Sequence, residues 1–225
     1  SMLKDSSVKE QLLQEVFDTE KECCEKSRFI MACSEEDKQK LCELYQVAEE
    51  KVIVVPNGVD TQQMHCVSPE ERLQNKAQLD QADTPILNGQ KIGLFMGSWH
   101  KPNLDACEEI FQIAKACPET VFLLMGSQCR YFVIHNDEYE IPKNVGLLGL
   151  VSEEEKKQIF GLVDFALNPM VAGSGTNLKI FDYMSAGIPV ITTPLGARGI
   201  PDPEGLLIHE LSDFPAVIRS FDLKE

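Results

Sequence analysis

The chain is poor in positive charge. Its 225 residues carry 21 Lys and Arg against 36 Asp and Glu, a formal net charge of −15. Nucleic-acid binders need clustered basic groups to displace phosphate counterions, so this deficit argues against that class. It also argues against an anionic membrane surface as the main partner. Apolar runs stay below the ~18 residues of a membrane span, and the first residues lack the apolar core of a signal peptide.

Several signatures of catalysis and metal binding are missing as well. The eight cysteines contain no C-x2-C pair, which argues against a zinc site. The chain exceeds the usual size of a disulfide scaffold, so we expect free thiols and a cytoplasmic location. It has no G-x-S-x-G elbow, no G-x4-G-K-[ST] loop, and no G-x-G-x-x-G after a strand. These absences argue against hydrolases, P-loop proteins and dinucleotide dehydrogenases.

Short apolar runs alternate with segments of helical spacing along most of the chain. This alternation of strand and helix patterns predicts an α/β fold with a Rossmann-like parallel sheet flanked by helices. Residues 61–90 are polar without a steady period, which predicts a linker with one helical stretch. The predicted strands are 29–33, 52–55, 92–96, 121–125, 145–148, 165–169, 189–192 and 206–208, and helices are predicted over 6–26, from Ser34, from Asn103, over 152–160 and over 176–186.

Two strand ends carry residues suited to ligand binding, since ligands of open α/β sheets bind beyond the carboxyl ends of the strands. The sharper one is 172–179, where glycines precede hydroxyl and amide side chains at a helix start and Lys179 adds a charge. Such a terminus binds phosphate, although a plain strand-to-helix turn has the same pattern. On the other loop, 97–103, His100 and Lys101 are candidate diphosphate contacts. Asp182 can accept hydrogen bonds from sugar hydroxyls, or be an ordinary paired carboxylate.

Four segments, taken in order, resemble a known family. They are VVPNGVD at 54–60, FMGSW at 95–99, the stretch from Gly149 to Pro169, and GSGTNLKIFDYMSAGIPVI at 173–191. Together they resemble the retaining glycosyltransferases of family 4, also called group 1, which have the GT-B fold. The last segment is the most specific match.

The resemblance implies the C-terminal half of a two-domain GT-B glycosyltransferase. Residues 1–60 would be the tail of the N-terminal acceptor domain, 61–90 the interdomain linker, and 91–225 a C-terminal nucleotide-sugar-binding domain truncated at its end. The enzyme would transfer a hexosyl group, with retention, from a nucleoside-diphosphate sugar to a carbohydrate, lipid or protein. No metal or other cofactor is expected. Because most of the N-terminal domain is missing, this chain would bind the donor without transferring sugar.

The resemblance also assigns site residues. Asp182 would bind the ribose, and Leu150 and Val151 the base.

The chain also departs from the family at two positions. Ser174 stands where the family has its first motif Glu, and Ser98 stands where it has an Arg. These departures leave a non-catalytic nucleotide-binding or regulatory module as the alternative. A related GT-B epimerase or phosphorylase is a further alternative, against which the PNGVD segment counts. The catalytic residues, base, sugar and acceptor stay unassigned. The diphosphate would be bound by Gly97, Ser98, Lys101, Ser174, Gly175, Thr176, Asn177, Leu178 and Lys179.

Overall fold

The computed structural model describes residues 6–62, 66–81, 89–173, 175–200 and 205–221. These residues fall into two compact units. The first comprises the described residues up to Asn57, together with Gly199 and Ile200. The second comprises those from Gly58 to Arg198 and from Gly205 onward.

The first unit pairs two short parallel strands with two helices. Helix α1 is Ser6–Lys26, strand β1 Ile30–Ala32, helix α2 Glu35–Tyr45 and strand β2 Val52–Val54, which a 3₁₀ turn at Glu49–Lys51 precedes. Strands β1 and β2 are parallel, with Ile30 opposite Val52. Helix α2 begins where the sequence predicts, because the Ser34 hydroxyl accepts a hydrogen bond from the Asp37 amide at 3.1 Å.

The second unit is built on a six-stranded parallel sheet, which confirms the predicted fold class. The strand order is β5-β4-β3-β6-β7-β8. The strands are β3 Lys91–Met96, β4 Thr120–Met125, β5 Val145–Gly149, β6 Phe165–Asn168, β7 Val190–Thr192 and β8 Leu206–Ile208. The helices are α3 Pro69–Gln81, α4 Lys101–Ala116, α5 Cys129–Ile134, α6 Glu153–Phe160, α7 Lys179–Ser185 and α8 Phe214–Ser220, the last preceded by a 3₁₀ turn at Leu211–Asp213.

The central strands are buried on both faces, as continuous apolar runs in a parallel sheet require. All four residues of β6 are buried, as are the four interior residues of β3. Gly93 in the middle of β3 lies against the Phe165 ring, where an added Cβ would come within 2.7 Å of a ring carbon. From β3, the chain adds β4 and β5 on one side and then β6, β7 and β8 on the other. This reversal of the strand order leaves a crevice at the carboxyl ends of the parallel neighbours β3 and β6.

Two helices begin elsewhere than predicted. Helix α4 starts at Lys101, with His100 as its N-cap, so Asn103 lies inside the first turn and is not the cap. Helix α7 starts at Lys179, three residues after the expected Thr176. Gly173 and Gly175 adopt φ angles of 120° and 73°. Such positive values belong to a turn, so the irregular backbone delays the helix.

Helix α3 is the helical stretch that the sequence predicts within residues 61–90, and it packs into the second unit through Arg72. This side chain is only 1% exposed. Its guanidinium donates to the Val163 and Ala186 carbonyl oxygens, both at 2.7 Å. Burial lowers the pKa of Arg72. A buried arginine therefore ties this helix to the segments before β6 and after α7.

Candidate functional site

A cavity of about 680 Å³ opens at the carboxyl ends of the central strands. Most of its wall comes from the segments that follow β3, β4, β5, β6 and β7, and Gly58 adds to it, all in the second unit. It therefore lies at the crevice where the strand order reverses, the position in which open α/β sheets bind ligands. Its size suits a ligand larger than a single sugar ring.

One side of the cavity is formed by two loops whose backbones touch. Gly126, after β4, has a φ of 123°. A Cβ built on it would lie 2.0 Å from the Gly97 carbonyl oxygen, so no other residue type fits here without a backbone shift. The Gly97 amide donates to the Met125 carbonyl at 3.0 Å, and the Gly126 amide to the Gly149 carbonyl at 2.7 Å. These two hydrogen bonds connect the ends of β3, β4 and β5 beside the cavity.

The Lys179 ammonium is partly buried at the cavity wall. Its Nζ donates to Asn103 Oδ1 at 2.9 Å and lies 4.1 Å from the centroid of the Phe95 ring, which is itself buried. Desolvation lowers the pKa of Lys179 to about 7, because burial disfavours the charged form. An anion entering the cavity would stabilise the ammonium that the apolar surroundings disfavour.

Asn103 positions this lysine instead of capping α4. Its Nδ2 donates to the Ser98 carbonyl and hydroxyl oxygens, at 3.1 and 3.2 Å. Since its Oδ1 accepts from Lys179, the amide connects the loop after β3 to the first residue of α7. Both predicted ligand-binding strand ends are thus joined through one side chain.

The glycine-rich turn presents polar groups to the same cavity. Thr176 and Asn177 line it, and the buried Thr176 hydroxyl has no partner within the described part of the chain. Asn177 Nδ2 donates to the Gly196 carbonyl at 3.1 Å. The Arg198 guanidinium donates to the Gly175 carbonyl at 2.8 Å. The turn is therefore held from the loop after β7, and the Thr176 hydroxyl is buried beside the cavity without a hydrogen-bond partner among the described residues.

Asp182 lies one helical turn beyond Lys179 and also lines the cavity. Its Oδ2 accepts from Lys156 Nζ at 3.0 Å, so it is a paired carboxylate at the cavity wall. Leu150 and Val151, which follow β5, line the cavity as well, and Leu150 is 81% exposed.

Most of the predicted site residues lie together around this cavity, but not all. The ammonium of Lys101 lies outside its lining and pairs with Asp105 on the surface of α4. Gly175 is also outside the lining, and Ser174 lies outside the described residues. Those in the lining are Gly97, Ser98, His100, Leu150, Val151, Thr176, Asn177, Leu178, Lys179 and Asp182.

Sequence reasoning missed the contributions of Lys156 and Arg198 and misassigned that of Asn103. Lys156 stands on a helix whose capping box is visible in the sequence and present in the structure, so its place on that helix was predictable. Its pairing with Asp182 could not be predicted from the sequence. Nothing in the sequence marks Arg198.

Positive charge is concentrated in the cavity although the protein as a whole is acidic. The lining includes three cationic side chains, Lys156, Lys179 and Arg198, and one carboxylate, Asp182. The chain carries a net charge of −15. A local excess of cations inside a partly enclosed site attracts an anionic ligand.

Within the described ranges, no group of three or more His, Cys, Asp or Glu side chains is placed to hold a metal ion. The helices in those ranges include none with the length and apolar character needed to cross a bilayer. All eight cysteines are free.

Comparison with protein families gives two matches. The family described as "Glycosyl transferases group 1" matches residues 90–220, more than half of the chain. The family described as "Glycosyltransferase Family 4" matches residues 8–63. No curated protein sequence matches the chain.

The fold is similar to that of several proteins of known structure. Anabaena HepE, solved in complex with UDP-glucose, is 16% identical with a TM-score of 0.64, over 86% of this chain and 54% of that one. Sucrose-phosphate synthase from Thermosynechococcus elongatus is 18% identical with a TM-score of 0.71, over 92% of this chain and 51% of that one. WaaG, a glycosyltransferase involved in lipopolysaccharide biosynthesis, is 16% identical with a TM-score of 0.65, over 87% and 53%. The chain spans about half the length of these proteins.

Proposed function

Since the chain belongs to the group 1 glycosyl transferases, we propose that it forms the donor-binding half of an enzyme that transfers a hexosyl group from a nucleoside-diphosphate sugar. The cavity at the carboxyl ends of β3 and β6 is the proposed donor site. HepE, of similar fold, was solved in complex with UDP-glucose, which makes a uridine nucleotide the first candidate.

The observation that carries this proposal is the set of chemical groups that line one cavity. Thr176 stands in the turn before α7, Lys179 is the first residue of that helix and Asp182 follows one turn later, and Leu150 and Val151 line the same cavity. The donor has three parts that these groups could bind: a diphosphate, a ribose and a base. The cation and free hydroxyl suit phosphate oxygens, the carboxylate suits ribose hydroxyls, and the backbone of 150–151 suits the base edge.

The proposed chemistry needs charge stabilisation where the diphosphate leaves. As the bond between the sugar and the diphosphate breaks, negative charge develops on the leaving phosphate. The Lys179 ammonium and the Thr176 hydroxyl would stabilise it inside a partly desolvated site, where such contacts have their largest effect. Transfer would then need no metal ion, and the resemblance to family 4 implies retention of configuration.

The whole enzyme would need residues beyond this chain. The acceptor, a carbohydrate, lipid or protein, would be bound by an N-terminal domain of which residues 1–60 form the end. We propose that the 225-residue chain binds donor nucleotide but transfers no sugar, and that the enzyme works in the cytoplasm. The alternative of a non-catalytic nucleotide-binding module on the same fold rests on Ser174 and Ser98.

Calorimetric titration tests the proposed donor site. We expect saturable binding of UDP or UDP-glucose, unchanged when magnesium is omitted, with GDP and ADP as comparison ligands. Lys179→Met should weaken binding about tenfold, because it removes a charge-assisted contact. Lys101→Met makes the same chemical change outside the cavity lining and should leave the affinity unchanged. Absence of nucleotide binding by the folded wild-type chain would refute the proposal, and equal losses in both variants would refute the assignment of Lys179.

A further inference from the structure

Two helices that are distant in sequence contribute an ion pair to the cavity wall. Lys156 Nζ, from α6, lies 3.0 Å from Asp182 Oδ2, on α7. The side chains are only 17% and 29% exposed. Both residues line the cavity, so the pair faces the space that a ligand would occupy and is not an ordinary pair on the outer surface.

The lysine is held in place from its own helix. Ser152 and Glu155 form a complete capping box at the start of α6, and the Lys156 amide donates to the Ser152 carbonyl at 2.9 Å. Its Nζ lies 5.5 Å from the centroid of the Phe160 ring, which is buried. A capped helix and a buried ring therefore fix the ammonium at the end of a side chain that is otherwise flexible.

The pairing leaves hydrogen-bonding capacity on both partners. Lys156 occupies Oδ2 of Asp182, and no described residue bonds to Oδ1. An ammonium has three N–H donors, and an ionised carboxylate accepts at both oxygens. The pair thus offers a free acceptor and free donors side by side, which is the complement of two adjacent hydroxyl groups.

Lys156 is less suited to binding phosphate than the other cations of the cavity. Its charge is already compensated by Asp182. In the described part of the chain, Lys179 bonds the neutral amide of Asn103 and Arg198 bonds backbone carbonyls, so neither is neutralised by a carboxylate. The pair is also one helical turn away from the residues proposed to bind the diphosphate.

We propose that Lys156 is a positioning residue that orients the Asp182 carboxylate, and that the pair recognises the vicinal 2′,3′-diol of the donor ribose. The inference rests on the proposed function and deepens it. Asp182 Oδ1 accepts from one hydroxyl while Lys156 donates to the oxygen of the other. The site therefore selects ribonucleotides over deoxyribonucleotides through two side chains and not through Asp182 alone.

Titration of UDP and of 2′,3′-dideoxy-UDP tests this role. The wild-type chain should bind UDP at least about tenfold more tightly than the dideoxy compound. Lys156→Met should remove most of that ratio, weakening UDP binding while leaving the dideoxy affinity unchanged. Lys156→Arg should recover part of the ratio. Lys157→Met is the matched control, since Lys157 is the exposed neighbour on the same helix, and it should leave both affinities unchanged.

The outcomes separate this inference from the proposed function. If Lys156→Met weakens both ligands equally, Lys156 has a structural role only and the inference is wrong. If the wild type binds both ligands equally well, the site does not recognise the diol and the inference is also wrong. The proposed donor site is not contradicted by that result. If the wild type binds neither, the proposed function itself fails. Circular dichroism and thermal unfolding of each variant identify a loss of binding that comes from a loss of fold.

Discussion

At the scale of single residues, burial controls what the charged side chains of the cavity can do. Lys179 has no carboxylate partner among the described residues, and its ammonium lies against the Phe95 ring and the Asn103 amide. Desolvation lowers its pKa from the ordinary 10.5 to about 7. Near neutral pH the free protein is therefore a mixture of ammonium and neutral amine at this position.

This residue should make nucleotide binding depend on pH. A bound diphosphate stabilises the ammonium and raises its pKa above 7, so binding takes up a proton wherever the free amine is neutral. The contribution of the ammonium to affinity should be complete below about pH 7 and fall as the pH rises toward 9, by at most about tenfold per pH unit. Titration of UDP in buffers of different ionisation enthalpy measures both the affinity and the proton uptake.

The control for this prediction is Lys179→Met, whose weaker binding should lose the pH dependence over the same range. A wild-type affinity that stays constant from pH 7 to 9, with no proton uptake, would contradict the assigned role of this ammonium.

At the scale of elements, the ends of the strands are where sequence and structure diverge. The strand interiors are short apolar runs, and their positions follow from the sequence. Helix starts depend on the loops between elements: Asn103 has the side chain of an N-cap but bonds Ser98 and Lys179 instead. Helix α5 was not predicted, because Cys129–Ile134 has mostly apolar residues and no amphipathic period.

Two glycines at adjacent strand ends allow the role of the loop contact to be measured. Gly126→Ala should destabilise the protein by more than the ~1–2 kcal/mol that left-handed backbone costs an ordinary residue, since the new Cβ would overlap the Gly97 carbonyl. It should also weaken UDP binding, because the loop from Gly97 must move. Urea unfolding and calorimetry measure the two effects.

Gly149→Ala is the matched variant. Gly149 has a φ of 71°, and an added Cβ would meet no atom within 4 Å. The Gly149→Ala variant should therefore lose only about 1–2 kcal/mol of folding stability, the cost of left-handed backbone for an ordinary residue. It should keep the UDP affinity of the wild type. Equal losses of stability and affinity in the two variants would show that the contact between the Gly97 and Gly126 loops does not shape the cavity.

At the scale of the whole molecule, the cavity belongs to one compact unit. Its lining residues run from Gly58 to Arg198, within the second unit. That unit contains the complete six-stranded sheet and the large apolar cluster around Phe95, Phe122 and Phe165. Nucleotide binding should therefore not require the first 57 residues.

Expression of residues 58–225 alone checks this expectation. We expect a cooperatively unfolding protein that binds UDP with the affinity of the full chain, because the sheet, the core and the cavity lining are all retained. Thermal unfolding and calorimetry are the measurements. A folded protein without UDP binding would mean that residues 1–57 complete the site.

The sequence by itself determined the features that depend on near neighbours along the chain. Alternating strand and helix runs established the α/β class, and the capping box of α6 and the glycine-rich turn before α7 were visible as motifs. Both arise from periodicity and from hydrogen bonds a few residues long. The position of the cavity followed from these elements and the general rule for strand ends.

Only the tertiary structure decided which side chains meet across the cavity. Lys156 and Asp182 are 26 residues apart, and Lys179 and Asn103 are 76 apart. Their contacts depend on the strand order β5-β4-β3-β6, which brings the ends of separate strand–helix units to one crevice. Local propensity carries no information on that order. Burial, and with it the lowered pKa of Lys179, likewise exists only once the sheet and its helices have packed.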